Sequence, residues 1–563
     1  MAQANDFVIL LAGEAGQGIQ SIESVLLRAL KRCAYHVFAT SEVMSRVRGG
    51  TNSTTLRLGS HRVRALPHQV DLFVAFSAEA VRRYTPRCTA ETLLVGDPAV
   101  VSGAGAAAPF AALATEAGDK RAASMVAAGV IMGLLGQPLS ALIPVVEAHF
   151  SAKGEALIAT NVAAATAGHR HGQALAKDTA RPFALPPATD LSQEILINGS
   201  QAIALGALAG DCDAIFSYPM SPGTGVLSAL AHFSTQTDLV VEQVEDEIAA
   251  INMALGANYA GARAMVTTSG GGFALMTEGI SLAGISETPV VVHVAQRPGP
   301  GTGLPTRTAQ EDLNLVRYAG HGLFARAIFA PATLEEAFAL THQAFNLADA
   351  LQIPVFILSD QYLVDTTYNV PPLSSEGLAN DRHLVAAEPD YQRYQLTPSG
   401  LSPRSVPGFG PGRVCVDSDE HDERGRITED LDGISLQMKD KRFRKFALVQ
   451  EAALPPIWHG PADAELLLVA WGSTGPAIEE ALARLASPKV AHLHFPQVWP
   501  IHASAGALLR RAGRRVAVEN SQEATFADWL RLETGVSFAP PILKYNGLAF
   551  SIEELVSRIE EAL

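Results

Sequence analysis

Four stretches of the 563-residue chain carry residue types that could bind a ligand and do chemistry. They combine hydroxyls, glycines and prolines with a cluster of glutamates and an arginine. The stretches are residues 218–222, 242–247, 267–272 and 297–307. They follow predicted strands or open a predicted helix, and turns at successive strand ends of one sheet converge on the crevice where α/β proteins bind ligands. The sequence therefore predicts one shared site.

The charged groups in these stretches leave alternatives open. Glu242, Glu245 and Glu247 open a predicted helix, where acidic side chains also occur because they interact favourably with the helix dipole. Arg297 follows a predicted strand, so it could pair with an anionic ligand or form an ordinary salt bridge. Residue type alone does not separate these interpretations.

The elements that position these residues are predicted to form an α/β fold with three α/β domains. Residues 7–11 form a buried-strand pattern, followed by a glycine-rich turn and a helical stretch, which is typical of a doubly wound domain with a parallel sheet. The predicted organisation is an α/β domain at 1–185, a doubly wound domain at 190–395, a long loop and connector at 396–460, and a third α/β domain at 461–563. The charged run 417–432 within the connector is expected to be solvated.

The composition excludes several classes of protein. The net charge of −15 argues against binding to a phosphate backbone, so no nucleic-acid partner is expected. The four cysteines lie far apart without a C-x-x-C pair, which predicts neither a disulfide framework nor a metal cluster held by this chain. No segment approaches 18 uninterrupted apolar residues and no basic region precedes the short N-terminal apolar run. We therefore expect no membrane association and a cytoplasmic location.

Several histidines also stand out. His492 and His494 lie on one predicted strand, so their rings share a face. Neither they nor His321 has a further partner at metal-ligand spacing, and we predict core or surface histidines and no metal site.

The motifs taken together resemble the pyrimidine-binding domain of the α subunit of 2-oxoacid:ferredoxin oxidoreductases. The resemblance rests on Tyr218-Pro-Met-Ser-Pro, Glu245-Asp-Glu-Ile-Ala-Ala, Gly256-Ala-Asn-Tyr-Ala-Gly-Ala-Arg, Thr268-Ser-Gly-Gly-Gly-Phe, Arg297-Pro-Gly-Pro-Gly-Thr-Gly-Leu-Pro-Thr and Gly320-His-Gly. The N-terminal region, with Gly13-Glu-Ala-Gly-Gln-Gly and Arg48-Gly-Gly, resembles the family's γ unit. The region from about residue 465 resembles its transketolase-C-terminal-like domain. This fusion of γ and α units looks most like the 2-oxoglutarate enzymes.

The resemblance implies thiamine-dependent oxidative decarboxylation of a 2-oxoacid, for 2-oxoglutarate giving succinyl-CoA and CO2, with coenzyme A accepting the acyl group and ferredoxin the electrons. It places a glutamate at the aminopyrimidine of thiamine diphosphate, and the match through Gly256 and the spacing to Arg297 favour Glu247 over Glu245. The cofactor-binding residues implied with Glu247 are Tyr218, Pro219, Ser269 and Gly270.

The resemblance also implies where the substrates bind. Arg297 and Ser221 would contact the 2-oxoacid carboxylate, and with Glu247 they form the implied catalytic set. The other residues assigned to substrate or coenzyme A are Thr302, Thr306, Gly16, Gly18 and Arg48, with Arg46 as a further phosphate partner. For Thr306 a turn hydroxyl that satisfies its own loop, and for the glycines a tight strand–helix turn, are the alternatives.

Part of the expected cofactor site is absent from the sequence. Thiamine enzymes hold Mg²⁺ and diphosphate with a Gly-Asp-Gly motif, and the chain contains none. The resemblance therefore implies a β subunit that carries Mg²⁺, the diphosphate site and the iron–sulfur cluster, contacts ferredoxin, and forms a dimer of αβ heterodimers. The alternatives are specificity for pyruvate or branched 2-oxoacids, a single-chain thiamine enzyme, and a non-catalytic assembly subunit.

Overall fold

A computed structural model of the chain describes residues 6–45, 50–101, 105–178 and 183–563. It divides into two compact units. The first contains Met1–Ile197, Thr366–Pro372 and Ser551–Glu554, and the second contains Asn198–Asp365, Leu373–Phe550 and Leu555–Leu563.

Strands and helices alternate along most of the described chain. The strands are β1 (Asp6–Glu14), β2 (His36–Glu42), β3 (Thr51–Gly59), β4 (Val70–Ala75), β5 (Cys88–Gly96), β6 (Ala106–Ala107), β7 (Ile195–Asn198), β8 (Ala214–Ser217), β9 (Val240–Gln243), β10 (Ala264–Thr268), β11 (Val290–Gln296), β12 (Ala327–Phe329), β13 (Pro354–Asp360), β14 (Thr367–Val370), β15 (Ile457–His459), β16 (Leu466–Trp471), β17 (Val490–Phe495), β18 (Gln497–Trp499), β19 (Arg514–Glu519) and β20 (Ile542–Leu543). The helices are α1 (Ile19–Arg32), α2 (Ala78–Tyr84), α3 (Pro98–Val101), α4 (Phe110–Glu116), α5 (Ala123–Leu134), α6 (Leu139–Phe150), α7 (Glu155–Asp178), α8 (Gly199–Ala209), α9 (Thr224–Phe233), α10 (Glu247–Tyr259), α11 (Gly270–Leu275), α12 (Thr277–Ser286), α13 (Leu313–Tyr318), α14 (Leu334–Leu351), α15 (Gln361–Asp365), α16 (Ile434–Glu451), α17 (Thr474–Leu485), α18 (Ala505–Leu509), α19 (Thr525–Thr534) and α20 (Ile552–Ala562). None of these helices is both long and apolar enough to cross a bilayer.

The first unit is built on a mixed sheet with the strand order β6-β5-β4-β1-β3-β2-β14-β7. β1 pairs in parallel with β4 but antiparallel with β3, and β2 also pairs antiparallel with β3. The expected parallel sheet is therefore wrong for this unit. The cause is β3, whose sequence TNSTTLRLG is too polar to be recognised as a buried strand although most of it is buried.

The second unit contains two sheets. One has the order β18-β12-β13-β11-β10-β8-β9 and the other the order β15-β17-β16-β19-β20. In the first sheet, neighbouring strands from β8 to β13 pair in parallel. β10, β11 and β13 are buried throughout, which is typical of strands in a parallel sheet that is covered on both faces. The parallel pairing brings the carboxyl ends of β8, β10 and β11 to one edge.

The two sheets of the second unit share one hydrophobic core. Phe273 and Phe356 from the first sheet's side belong to the same cluster as Trp471, Phe495 and Phe526 from the second. β18 also leaves the C-terminal region and pairs antiparallel with β12. The predicted domain boundaries at about residues 185, 395 and 460 stay predictions.

The connector contains structure that the sequence did not reveal. α16 lies within it, and its Lys441 and Lys445 are buried and bind the buried carboxylate of Glu287. Burial raises the pKa of Glu287, but Lys445 and Lys441 outweigh that effect and the net pKa lies below its usual value. His421, in the run expected to be solvated, is buried and stacks on Tyr394 with ring centroids 3.9 Å apart. That expectation is therefore wrong for His421.

Candidate functional site

The four predicted stretches meet at one edge of the parallel sheet. The Ser217 hydroxyl, at the end of β8, donates to the carbonyl of Thr267 on β10 over 2.6 Å. The Thr267 hydroxyl donates in turn to the carbonyl of Gly223 over 3.1 Å. Arg297, the first residue after β11, donates from Nη1 to the Ser221 carbonyl over 2.7 Å. The turn after β8 is thereby tied to β10 and to the first residue after β11.

Glu247 is the buried acid of this edge. It is the first residue of α10, and the helix is capped by Asp246, whose Oδ1 accepts from the Ala249 amide over 2.8 Å. Glu247 is 2% exposed, whereas Glu242 and Glu245 are exposed. Of these three glutamates, Glu242 and Glu245 are in contact with water, as acidic residues at the start of a helix usually are, and Glu247 is not.

The Glu247 carboxylate has unusual surroundings for a buried acid. Its Oε1 has no hydrogen-bond partner among the described residues. A Cβ at Gly272 would lie 2.3 Å from that oxygen, so only glycine leaves room for the carboxylate there. Burial raises the pKa of Glu247 above its usual value; a hydrogen bond from its own backbone amide opposes that effect, and Asp246 adds a smaller increase. A buried oxygen left unpaired carries a large desolvation cost, which a donor group on a ligand would remove.

Arg297 is half-buried and lies at the same edge of the sheet. Burial lowers the pKa of its guanidinium, and the nearby carboxylate of Asp312 opposes that effect. The hydrogen bond to Ser221 fixes one side of the planar group and joins two of the predicted substrate residues. This bond goes to a carbonyl and not to a carboxylate, and the role of Arg297 toward a substrate stays a prediction.

The remaining predicted residues line the turns around this pair. Tyr218, Ser221 and Thr302 are exposed, while Pro219 and Thr306 are half-buried. Ser269 is fully buried, and its hydroxyl has no hydrogen-bond partner in the described part of the chain.

Asp312 is a site residue that sequence reasoning missed. Its amide donates to Gln296 Oε1 over 3.0 Å, and its carboxylate packs against Gly270, where a Cβ would lie 2.4 Å from both oxygens. Oδ2 is buried without a hydrogen-bond partner among the residues described. Burial, reinforced by Glu311 and opposed by Arg297, raises the pKa of Asp312 to about 7. No motif marks this residue in the sequence.

Three unpaired polar groups therefore surround one glycine turn. Glu247 Oε1, Asp312 Oδ2 and the Ser269 hydroxyl lack hydrogen-bond partners within the described ranges, and Gly270 and Gly272 make room for the two acids. Buried polar groups in proteins are normally hydrogen-bonded, and a concentration of exceptions indicates a binding site.

A second candidate site lies within the first unit. Gly16 and Gly18, with φ of +92° and +78°, form the turn between β1 and α1. They line a cavity of 410 Å³ together with Lys120 and Arg121. Arg46, Arg48 and the following Gly49 lie outside the described residues. The cavity therefore places two cations near the glycine turn that the sequence did not connect with it. Arg121 is also paired with Asp119 over 2.6 Å, and Asp97 lines the same cavity.

Comparison with known proteins decides the family. Residues 205–440 match the family described as pyruvate flavodoxin/ferredoxin oxidoreductase, thiamine diP-bdg, and residues 8–171 match pyruvate ferredoxin/flavodoxin oxidoreductase. A protein of Aeropyrum pernix named 2-oxoacid:ferredoxin oxidoreductase 2, subunit alpha is 30% identical, over 99% of this chain and 98% of that protein. The chain belongs to the α subunits of 2-oxoacid:ferredoxin oxidoreductases. The predicted family and enzyme class are confirmed.

Two further relatives of this α subunit carry more specific names. A solved structure described as 2-oxoglutarate:ferredoxin oxidoreductase from Magnetococcus marinus, with 2-oxoglutarate, coenzyme A and succinyl-CoA bound, is 30% identical with a TM-score of 0.91. The similarity covers 99% of this chain and 100% of that one. The 2-oxoglutarate oxidoreductase subunit KorA of Mycobacterium tuberculosis is 30% identical over 80% of this chain and 70% of that protein. The predicted α/β fold class is thereby confirmed, and the α subunit is one component of a multi-subunit enzyme.

Proposed function

We propose that this α subunit acts on 2-oxoglutarate, converting it with coenzyme A to succinyl-CoA and CO2 while ferredoxin takes up the electrons. The observation that carries the proposal is the edge where buried Glu247 and half-buried Arg297 flank one glycine turn. The likeness to the Magnetococcus marinus structure along nearly the whole of both chains supports the choice of 2-oxoglutarate.

The residues at this edge fit thiamine diphosphate. When bound, the cofactor would supply a nucleophilic thiazolium carbon and an electron sink. Glu247 would hydrogen-bond the aminopyrimidine through Oε1, which has no partner in the described protein. Its raised pKa suits a group that shares a proton with a ring nitrogen. Tyr218, Pro219, Ser269 and Gly270 would line the ring.

Arg297 and Ser221 would hold the substrate carboxylate. The guanidinium has several N–H donors in one plane, and the bond from Nη1 to the Ser221 carbonyl orients that plane. Because a carboxylate accepts two parallel N–H bonds from arginine, this orientation favours bidentate binding. Thr302 and Thr306 lie on the same turn as Arg297 and would contribute hydroxyls.

Coenzyme A would bind in the first unit, with its phosphates at the turn of Gly16 and Gly18. Backbone N–H groups at the start of α1, a helix of 14 residues, favour an anion there. Lys120 and Arg121 line the same cavity and would supply positive charge, a role predicted for Arg48. The glycine turn, the backbone N–H groups at the start of α1 and the two cationic side chains together support a phosphate site.

A β subunit would supply Mg²⁺, the diphosphate site, the iron–sulfur cluster and the contact with ferredoxin, in a dimer of αβ heterodimers. The sequence contains no Gly-Asp-Gly and no C-x-x-C. Cys212 is buried, and burial raises the pKa of its thiol to about 12, so it is a poor source of a thiolate ligand.

The experiment that tests the substrate is a panel assay on the complex of this chain with its β subunit. We expect the highest kcat/KM with 2-oxoglutarate and much lower values with pyruvate and branched 2-oxoacids. A preference for pyruvate would contradict the proposed substrate, and a complex that turns over no 2-oxoacid would point to an assembly subunit.

A further inference from the structure

Two histidines and a glutamate converge on one face of the C-terminal sheet. Alternation along β17 places Ala491, Leu493 and Phe495 in the hydrophobic core and turns His492 to the opposite face. β15 pairs antiparallel with β17, and His459 is the direct cross-strand neighbour of His492. α17 packs on β17 and carries Glu479.

The three side chains are close enough to share one ion. The imidazole rings of His459 and His492 are stacked, with centroids 5.6 Å apart and planes 20° apart. His459 Nε2 lies 3.5 Å from Glu479 Oε1. One ligand atom from each of the three side chains falls within 4.8 Å of the other two.

His492 lacks the contacts that a buried imidazole normally has. Its exposed fraction is 0%, and neither Nδ1 nor Nε2 has a hydrogen-bond partner in the part of the chain described. A buried polar group without a partner costs free energy, and a metal ion bound at one ring nitrogen would offset that cost.

We propose that His459, Glu479 and His492 bind a divalent transition-metal ion, for which Zn²⁺ is the best match. Two imidazoles and one carboxylate form a donor set typical of zinc sites with three protein ligands. The side chains of His459 and Glu479 are 38% and 34% exposed, so water can reach the fourth position. Ligand atoms around tetrahedral zinc are about 3.3 Å apart, and His459 Nε2 and Glu479 Oε1 are already 3.5 Å apart.

The neighbouring His494 is not assigned to this site. Its ring nitrogens also lack hydrogen-bond partners among the described residues, but its Nε2 faces Glu336 Oε2 at 3.5 Å and its Nδ1 faces Gly475. No sequence spacing connects His492 with the two other proposed ligands, which come from β15 and α17, so the sequence predicts core or surface histidines here.

The test uses the full-length chain, freed of metal with a chelator and titrated with Co²⁺ alone. We expect saturable binding of about one equivalent, with the visible ligand-field absorption of a four-coordinate site, and displacement by Zn²⁺. His459→Gln and Glu479→Gln change half-exposed side chains and should weaken Co²⁺ binding at least tenfold without lowering the Tm of the metal-free chain. His232→Gln changes an exposed histidine at the end of α9 and should bind as the wild type does.

Three results would overturn the proposal. The first is the absence of saturable binding to the wild-type chain. The second is equal affinity in the wild type, His459→Gln and Glu479→Gln, which would leave His459 and Glu479 as an ion pair beside an unpaired imidazole. The third is a thiolate-to-metal charge-transfer band, which would place the bound ion on cysteine.

Discussion

Replacing Glu247 by glutamine should separate its proposed proton-sharing role from its packing role. Glutamine has almost the same shape, so it still fits over Gly272, and it removes the cost of burying a charge. It cannot share a proton with a ring nitrogen as a carboxyl group does. Positioned proton transfer contributes roughly a hundredfold or more to a rate. We therefore expect kcat to fall by about a hundredfold, equivalent to about 2.7 kcal/mol.

The control for Glu247→Gln is Glu245→Gln. Glu245 lies two positions earlier, has the same chemistry and is exposed, so its replacement removes charge near the start of α10 without touching the buried edge. Both variants should be assayed in the complex with the β subunit at saturating thiamine diphosphate, 2-oxoglutarate and coenzyme A. Equal, small losses in the two variants would refute the reasoning and leave Glu247 as an acidic helix end. A Tm for Glu247→Gln well below that of the wild type would point instead to a packing role.

Three other predictions follow from the same structure. Arg297→Lys should lower kcat/KM at least tenfold, equivalent to about 1.4 kcal/mol, and to a similar extent with every 2-oxoacid. Lysine keeps the charge but lacks the planar guanidinium that can donate two parallel hydrogen bonds to a carboxylate. A loss confined to 2-oxoglutarate would place Arg297 at the distal carboxylate. Because burial raises the pKa of Asp312 to about 7, the folded chain binds more protons than the unfolded chain between about pH 4 and pH 7, and its stability falls as pH rises through that range. The Tm measured across this range should fall less in Asp312→Asn than in the wild type. Identical Tm profiles would contradict the raised pKa. Glu287→Gln leaves two buried lysines without their carboxylate and should lower the free energy of unfolding, measured with urea, by about 3–5 kcal/mol. Glu465→Gln breaks an exposed ion pair and should lower it by at most about 1 kcal/mol. Equal losses in the two variants would contradict the role assigned to burial.

Much of the second unit could be predicted from local sequence. Strands such as Val290–Gln296 and Pro354–Asp360 are continuous apolar runs, and the turns that follow parallel strands must meet at one edge. The family and the α/β class could be predicted because the motifs sit in those turns. The choice of Glu247 over Glu245 came from the resemblance, and the burial of the two residues agrees with it.

Other features depend on contacts between residues far apart in sequence. Asp312 carries no motif, and its importance appears only where its carboxylate meets Gly270. Lys120 and Arg121 reach the glycine turn from about 100 residues away. The sequence of β3 is too polar to predict a buried strand. Lys441 and Lys445 on α16 have the residue type of a surface position, and only the structure shows that both bind the buried carboxylate of Glu287.

The most direct test of the central claim follows both products of the reaction in the complex of this chain with its β subunit. With 2-oxoglutarate, coenzyme A and thiamine diphosphate, we expect succinyl-CoA formation and ferredoxin reduction to proceed in step, and to stop when any component or either subunit is left out. Turnover by this chain alone, or electron transfer without acyl-CoA formation, would contradict the account.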